Sequence, residues 1–386
     1  MKILFIANKD PRLTNGGNEQ RTHLLWEALK HQGEVFAFIS DRKMGTYAER
    51  IEGEHPIYKY RPEEKRNILW SLVNAMLCRF SLFCVFGRKI TKMPDPQKAY
   101  EGVKFDFVVA RYLYPVCEYE YWKIAPLLID IDDHPLQVYE TVRRKRLPIG
   151  LKTIGAIVTK WQARYIISKS VGGWIANEEQ VDNCGENYRF LPNIPQTPSE
   201  DYKIDNPQRV NLFTVGAMGY VPNKDGVSRF LREIWPAFHQ KYPNVKYYIA
   251  GKGASEEEIK RWNSTMGVEY LGFVENLEAL YEKTLATVVP IYSGGGTCIK
   301  TLESLSFSRI CLSTKFGARG LKEDLLDGTN GLMIFEDAQS FISQYENIQN
   351  SESRSLMEKR GRKFVRDQYS KNAFEESVEK IVDHLI

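Results

Sequence analysis

The sequence predicts an α/β protein built from two doubly wound, parallel-sheet domains. Three observations predict it. Through the second half, short apolar runs alternate with longer segments of helical spacing. The first half opens with the same alternation. Between them, Pro192–Gln208 carries Pro192, Pro195, Pro198 and Pro207 and no apolar run, the composition of a linker. A chain of 386 residues is long enough to give each half its own core.

In the first half, Lys2–Ala7 reads as a buried strand and Asp10–Gly17 as a polar loop. Asn18–His31 follows as a helix, with Asn18 at the N-cap and Glu19 in the first turn. Val35–Ile39, Phe105–Ala110, Leu127–Ile131 and Val171–Ala176 read as further strands of that sheet. In the second half, the strand Asn211–Val215 leads into the loop Gly216–Asp225. Gly226–Tyr242 then has helical spacing, with Val227, Phe230, Leu231, Ile234 and Phe238 on one face. Val245–Ala250 is the next strand, and Gly251-Lys-Gly253 turns it into a helix over Glu256–Met266. Val268–Leu271, a helix over Leu277–Lys283 and the strand Ala286–Pro290 continue the pattern. Sheets of this kind bind ligands at the carboxyl ends of their strands.

Composition excludes several classes. Hydrophobic residues make up 43% and charged residues 26%, an ordinary globular mix. No uninterrupted apolar run is long enough to span a bilayer, and the opening Met-Lys-Ile-Leu-Phe-Ile-Ala is too short for a signal-peptide core. Cys78, Cys84, Cys117, Cys184, Cys298 and Cys311 are scattered without a Cys-x-x-Cys pair, which suits a reducing cytoplasm. The net charge of +4 comes from the first half. It concentrates where Arg61, Lys65, Arg66, Arg79, Arg88, Lys89 and Lys92 face only Glu63 and Glu64. No nucleic-acid recognition motif accompanies it, so the excess points to a local partner instead.

The sharpest chemical signal is the run from Pro290 to Leu305. A buried strand ends, Gly294, Gly295 and Gly296 remove every side chain, and a helix opens near Thr297. Free N–H groups and the helix dipole there favour a phosphate. Lys300 adds a cation, and Glu303 is placed to accept hydrogen bonds from a ribose diol. The rival reading is a glycine-rich strand-to-helix turn with a solvated Glu. A second signal is Asp130-Ile-Asp-Asp-His134 at the end of a strand, where polar side chains cannot serve the core. Asp130 and Asp132 also match an Asp-x-Asp metal pair, and Asp133 suits the cap of a following helix.

The run Gly294-Gly-Gly-Thr-Cys-Ile-Lys-Thr-Leu-Glu303 resembles the donor-site signature of the GT-B glycosyltransferases of family 4, in the branch with Gly-Gly-Thr-Arg-x-Lys-x-x-Glu. Other landmarks of that family fall in order. They are Gly16-Gly17, Leu191-Pro-Asn193, Val215-Gly-Ala-Met-Gly-Tyr-Val-Pro-Asn223, Ile249-Ala-Gly-Lys-Gly253, Gly272-Phe-Val274, Gly317-Ala-Arg-Gly320 and Asp327-Gly-Thr-Asn-Gly331. The resemblance spans nearly the whole chain and is strongest over 211–336.

The resemblance implies two Rossmann-like domains facing a cleft: residues 1–200 for the acceptor and 201–365 for the donor, with 366–386 a helix returning to the first. That return follows the closing pattern in Arg360–Phe374. It implies a retaining transfer of sugar from a nucleotide diphosphate donor to a hydroxyl of a glycan or lipid-linked acceptor, in cell-surface glycan synthesis. Neither metal nor cofactor is expected.

By position, Glu303 would bind ribose, while Gly296 and Thr297 would offer N–H groups to the diphosphate. Gly16, Gly17, Gly216, Gly251, Phe273, Val274 and Gly295 complete the implied donor site. Asp132 and Asp133 match the family's His-Asp pair beside the donor sugar, with His134 adjacent, and Arg21 is one turn into the helix after Gly17. Lys224 and Lys300 are the candidate cations for the leaving diphosphate.

Two departures stand out. Gly295 occupies the place of the first Glu of the family's Glu-x7-Glu motif, and the Arg that many members carry after the first C-domain strand is missing. A catalytically silent nucleotide-binding homologue is the alternative. A nicotinamide dehydrogenase is disfavoured because no Gly-x-Gly-x-x-Gly follows the first strand. Finally, Asn67–Phe86 is apolar, aromatic-rich and flanked by cations. It suits either a core helix pair or an interfacial helix on an anionic membrane, peripheral to the inner face of the plasma membrane.

Overall fold

The computed structural model describes residues 1–14, 17–41, 48–64, 91–140, 149–199, 202, 209–294 and 297–386. The chain divides into two compact units, Met1–Pro192 with Lys371–Ile386, and Asn193–Ser370.

The N-terminal unit holds β1 (Lys2–Ala7), β2 (Glu34–Ser40), β3 (Ala48–Ile51), β4 (Ile57–Tyr60), β5 (Glu63–Glu64), β6 (Thr91–Lys92), β7 (Phe107–Arg111), β8 (Leu127–Asp130), β9 (Gly172–Ile175) and β10 (Tyr188–Phe190). Eight of them form one sheet in the order β10-β9-β8-β7-β1-β2-β4-β3, and β5 pairs with β6 separately. Every neighbour in the large sheet is parallel except the β3–β4 edge. The central strand β1 is buried on both faces from Ile3 to Ala7, as a continuous apolar run requires. Ile3 stands beside Val35 on one side and Phe107 on the other. The helix Gly17–Lys30 buries Leu25, Trp26 and Leu29. The final helix, Lys371–Leu385, packs on it and buries Phe374, Val378, Ile381 and Val382.

The C-terminal unit holds β11 (Asn211–Val215), β12 (Tyr247–Ala250), β13 (Val268–Gly272), β14 (Thr284–Val289), β15 (Ile310–Thr314) and β16 (Leu332–Phe335). They form one all-parallel sheet in the order β13-β12-β11-β14-β15-β16. Its core on one face is an aromatic cluster, with Phe230 5.1 Å from both Tyr247 and Phe341.

Two local expectations change. The segment expected as one helix over Gly226–Tyr242 is two, Val221–Glu233 and Trp235–Lys241. Pro236 cannot donate the backbone bond that would carry the first helix through Ile234. Asn18 is not an N-cap: the helix already includes Gly17, and the Asn18 side chain instead accepts from Arg111 Nη2 at 3.4 Å.

Three carboxyl ends in the second sheet meet backbone to backbone. A Cβ on Gly251, whose φ is +136°, would lie 1.7 Å from the Gly216 carbonyl oxygen. A Cβ on Gly226 would lie 2.0 Å from that of Pro290. Glycine is therefore required for the loops after β11, β12 and β14 to converge.

Candidate functional site

In the C-terminal sheet the strand order reverses at β11, which pairs with β12 on one side and β14 on the other. The loops leaving β11 and β14 therefore flank a crevice at the carboxyl edge, the usual ligand position in such sheets. Lys300, in the helix Ile299–Ser306 after β14, reaches across it. Its ammonium donates to Asn223 Oδ1 at 2.5 Å, and Asn223 Nδ2 donates to the Ala217 carbonyl at 2.8 Å. A Cβ on Gly216 would stand 2.7 Å from Lys300 Nζ, so the missing side chain is what admits the ammonium. Burial pulls the Lys300 pKa below its usual value, against the weaker pull of Cys298 and Glu303. Among the described residues no carboxylate lies within ion-pair distance of it. A half-buried, largely desolvated cation that no described carboxylate pairs with suits an anion.

Glu303 lies one turn further along the same helix. Tyr281 donates to its Oε1 at 3.2 Å. Burial raises the Glu303 pKa, opposed by the Tyr281 hydrogen bond and the charge of Lys300. Gly294 adopts φ +133°, with Tyr220 Oη and Pro222 beside it. Thr297 is half-buried before the helix; Gly295 and Gly296 lie outside the described residues. Just past β13, Phe273 is exposed, with Lys252 Nζ 3.9 Å above its ring, while Val274 and Leu277 pack against the core cluster of Phe213 and Tyr281.

The two candidate lysines differ. Lys224 pairs with Glu258 at 2.9 Å, and Glu258 is itself fixed in a capping box with Ser255. Lys300 is the cation that stands at the glycine-lined loop. Asn223, Tyr281 and Lys252 carry no site signal of their own in the sequence. Only the spacing of Val221-Pro-Asn223 behind Gly216 hints at the first.

At the carboxyl edge of the N-terminal sheet, two arginines converge on one buried carboxylate. Arg21 donates to Asp130 from Nη2 at 2.7 Å and from Nε at 3.0 Å, and from Nη1 to the Leu191 carbonyl at 2.9 Å. Arg111 Nη1 donates to Asp130 Oδ2, while Nη2 reaches Asp132 Oδ2 at 3.2 Å and Tyr112 Oη at 3.0 Å. Burial pushes the Asp130 carboxyl up, but Arg21 and Arg111 outweigh it and hold it below the usual range. Arg21 is thus buried structure. The Asp-x-Asp metal reading does not fit either, because guanidinium groups already occupy Asp130 and Asp132. Tyr112 and Asp132 both adopt left-handed φ, +69° and +61°. Such strain costs about 1 kcal/mol or more per residue and persists only where surrounding bonds over-determine it.

His134, not Asp133, caps the next helix, Pro135–Val138. Its Nδ1 accepts the Leu136 N–H at 3.3 Å, which leaves the ring proton on Nε2. Burial, aided by the charge of Lys160, lowers the His134 pKa to about 4, so the ring is neutral at physiological pH. Asp133 is half-buried beside it. Gly17 opens the helix after β1, and Gly16 lies outside the described residues, as does Asn67–Phe86. No helix among the described residues is long and apolar enough to cross a membrane.

Comparison with known proteins agrees with this geometry. Residues 209–350 match the family model described as Glycosyl transferases group 1. A curated relative from Campylobacter jejuni is 30% identical over 134 residues, covering 34% of this chain and 36% of its own length. It is named GalNAc-alpha-(1->4)-GalNAc-alpha-(1->3)-diNAcBac-PP-undecaprenol alpha-1,4-N-acetyl-D-galactosaminyltransferase. The chain spans little more than a third of the length of the curated relatives it matches, 38% and 36%.

Among solved structures, sucrose-phosphate synthase from Thermosynechococcus elongatus has a TM-score of 0.65 at 15% identity, covering 100% of this chain and 98% of that one. Anabaena Alr3699/HepE in complex with UDP has a TM-score of 0.62 at 12% identity, covering 100% of both. At these identities the likeness is one of fold: the chain has the GT-B architecture of two Rossmann-like units.

Proposed function

We propose that the chain is a metal-independent glycosyltransferase that moves a sugar, with retention, from a nucleotide diphosphate donor to a hydroxyl of a glycan or lipid-linked acceptor. The observation that carries this reading is Lys300, a half-buried and desolvated cation beside Gly216 that pairs with no carboxylate among the described residues. A diphosphate supplies the missing charge. The C1–O bond to phosphate breaks, the acceptor oxygen bonds C1 and gives its proton to an oxygen of the departing diphosphate, and the remaining negative charge meets Lys300 and the N–H groups near Thr297. Glu303 accepts from the ribose hydroxyls. Phe273 offers an aromatic face to the base. Lys224 contributes only if Glu258 releases it.

On the N-terminal unit, a neutral His134 can donate through Nε2 and Asp133 can accept, the pairing that a sugar hydroxyl requires, while Asp132 is held by Arg111 and Tyr112. The Campylobacter relative supports an undecaprenol-linked acceptor and a role in cell-surface glycan synthesis. UDP in the Anabaena structure makes uridine diphosphate the first probe.

Glu303→Ala is expected to weaken uridine diphosphate binding by about 1.5–3 kcal/mol in calorimetry, the value of charge-assisted hydrogen bonds, with the thermal midpoint unchanged. Unchanged affinity would refute the ribose role. Because only the ionised Glu303 makes charge-assisted bonds through both oxygens, and burial raises its pKa, nucleotide affinity should also decline on acidification.

Turnover should persist in excess chelator, since the charge is met by lysine and backbone. Loss of activity restored by manganese or magnesium would overturn that. Tight nucleotide binding without transfer or donor hydrolysis would mark a silent homologue, the outcome that Gly295 in place of a carboxylate favours.

A further inference from the structure

The helix Ile149–Ile167 of the N-terminal unit contains no acidic residue. Its inner face is fixed: Gly155, Thr159, Gln162, Ala163 and Ile166 are buried, and Gly155 fits so closely that a Cβ would meet Tyr139 Oη at 2.0 Å. The outer face cannot turn inward. Yet it presents Ile154, Ile157, Trp161 and Tyr165, 49%, 63%, 57% and 40% exposed. Their spacing of three, four and four residues makes one stripe. Trp161 and Tyr165 stack at 6.1 Å, and Lys169 Nζ sits 5.1 Å from the Tyr165 ring. Lys160, Arg164 and Lys169 are exposed along the same face. In the sequence, Arg143, Arg144, Lys145 and Arg146 stand just before the helix.

We propose that this face docks on an anionic lipid bilayer, with Ile154, Ile157, Trp161 and Tyr165 entering the headgroup boundary. Lys160, Arg164 and Lys169 then meet lipid phosphates. Charge argues for this partner over a second copy of the chain. A two-fold contact through the stripe would oppose Lys160 and Arg164 with themselves, and the helix offers no carboxylate to neutralise them. An anionic sheet neutralises all of them, and aromatic rings beside cations are the composition of interfacial helices. The surface is independent of the donor site and would serve a silent homologue equally.

The test is co-sedimentation of the full chain with phosphatidylcholine vesicles with and without phosphatidylglycerol. Binding should require phosphatidylglycerol and weaken with added salt. Ile157→Glu with Trp161→Glu, and separately Lys160→Glu with Arg164→Glu, should each reduce it by about tenfold or more. All four positions are exposed, so the thermal midpoint and uridine diphosphate affinity should not move, which separates this result from failure of the donor site. Equal binding to neutral vesicles, no binding to either, or binding unchanged in the Ile157 and Trp161 variant would overturn the proposal. The last outcome would hand the membrane contact to another segment, such as Asn67–Lys92. Lipid-free dimerisation abolished by Trp161→Glu would overturn it in favour of a second copy.

Discussion

Lys300→Met is expected to lower turnover by about a hundred- to a thousandfold while leaving the C-terminal unit as stable as before, or more so. The two halves of that result have one cause. In the free protein the Lys300 charge is desolvated beside Gly216 and hydrogen-bonded to the Asn223 amide. Methionine has nearly the same length and removes that cost. The departing diphosphate, by contrast, loses the desolvated cation at its loop. Removing a single preorganised group of this kind typically costs about 3–4 kcal/mol of transition-state stabilisation.

A purely structural lysine would behave in reverse, with the midpoint falling and any activity falling only in proportion to the folded fraction. Measuring kcat alongside the thermal midpoint separates them. A change in kcat of less than about tenfold would sink the assignment. There is a pH corollary. Burial favours the neutral amine and a bound diphosphate favours the ammonium, so nucleotide binding takes up a proton on the alkaline side and affinity falls as pH rises through the depressed pKa.

The arrangement of the C-terminal sheet was legible because three of its strands, β11, β12 and β14, lead into loops with a glycine whose absence of side chain has a local cause. Gly216, Gly251 and Gly294 are visible as sequence and necessary as structure. What each charge pairs with was not legible. Lys224 and Lys300 look alike in sequence; only folding brings Glu258 to the first and leaves the second unpaired with any carboxylate among the described residues. Asp130 reads as half of an Asp-x-Asp metal pair because its partner Arg21 is 109 residues away, beyond the reach of any local pattern.

His134 was missed as a cap because histidine is a rare one, though Pro135 at the first helical position carries the signal. Pro236, too, marks a helix boundary that apolar spacing alone runs through. The helix Ile149–Ile167 shows the opposite limit. Apolar residues on both of its faces hide which face is buried, and only Tyr139 against Gly155 decides it.

Asp130→Asn should destabilise the N-terminal unit by about 3–5 kcal/mol, the usual loss when one partner of a buried ion pair is removed. The upper end is expected here, because the Asp130 carboxylate pairs with both guanidinium groups and Asp132 lies farther from each. Arg21 and Arg111 are both almost wholly buried, so neither can turn to water when the charge on Asp130 is gone. Asparagine keeps the shape and one carbonyl acceptor, which isolates charge from packing. For a unit of this size the loss corresponds to a fall of roughly 10 °C in its thermal midpoint.

The same energy is lost in the wild type on acidification. The folded-state pKa of Asp130 is depressed, so its contribution is full above the unfolded carboxylate range and disappears as pH falls through the folded value. Asp130→Asn should therefore flatten the acid limb of the stability curve as well as lower its plateau. The C-terminal unit supplies the internal control: uridine diphosphate should still bind at temperatures where both units remain folded. A midpoint lowered by no more than an exposed substitution would show that Arg21 and Arg111 find other acceptors. In that case Asp132 is the group to test next, since it already accepts from Arg111 and lies 3.9 Å from Arg21 Nε.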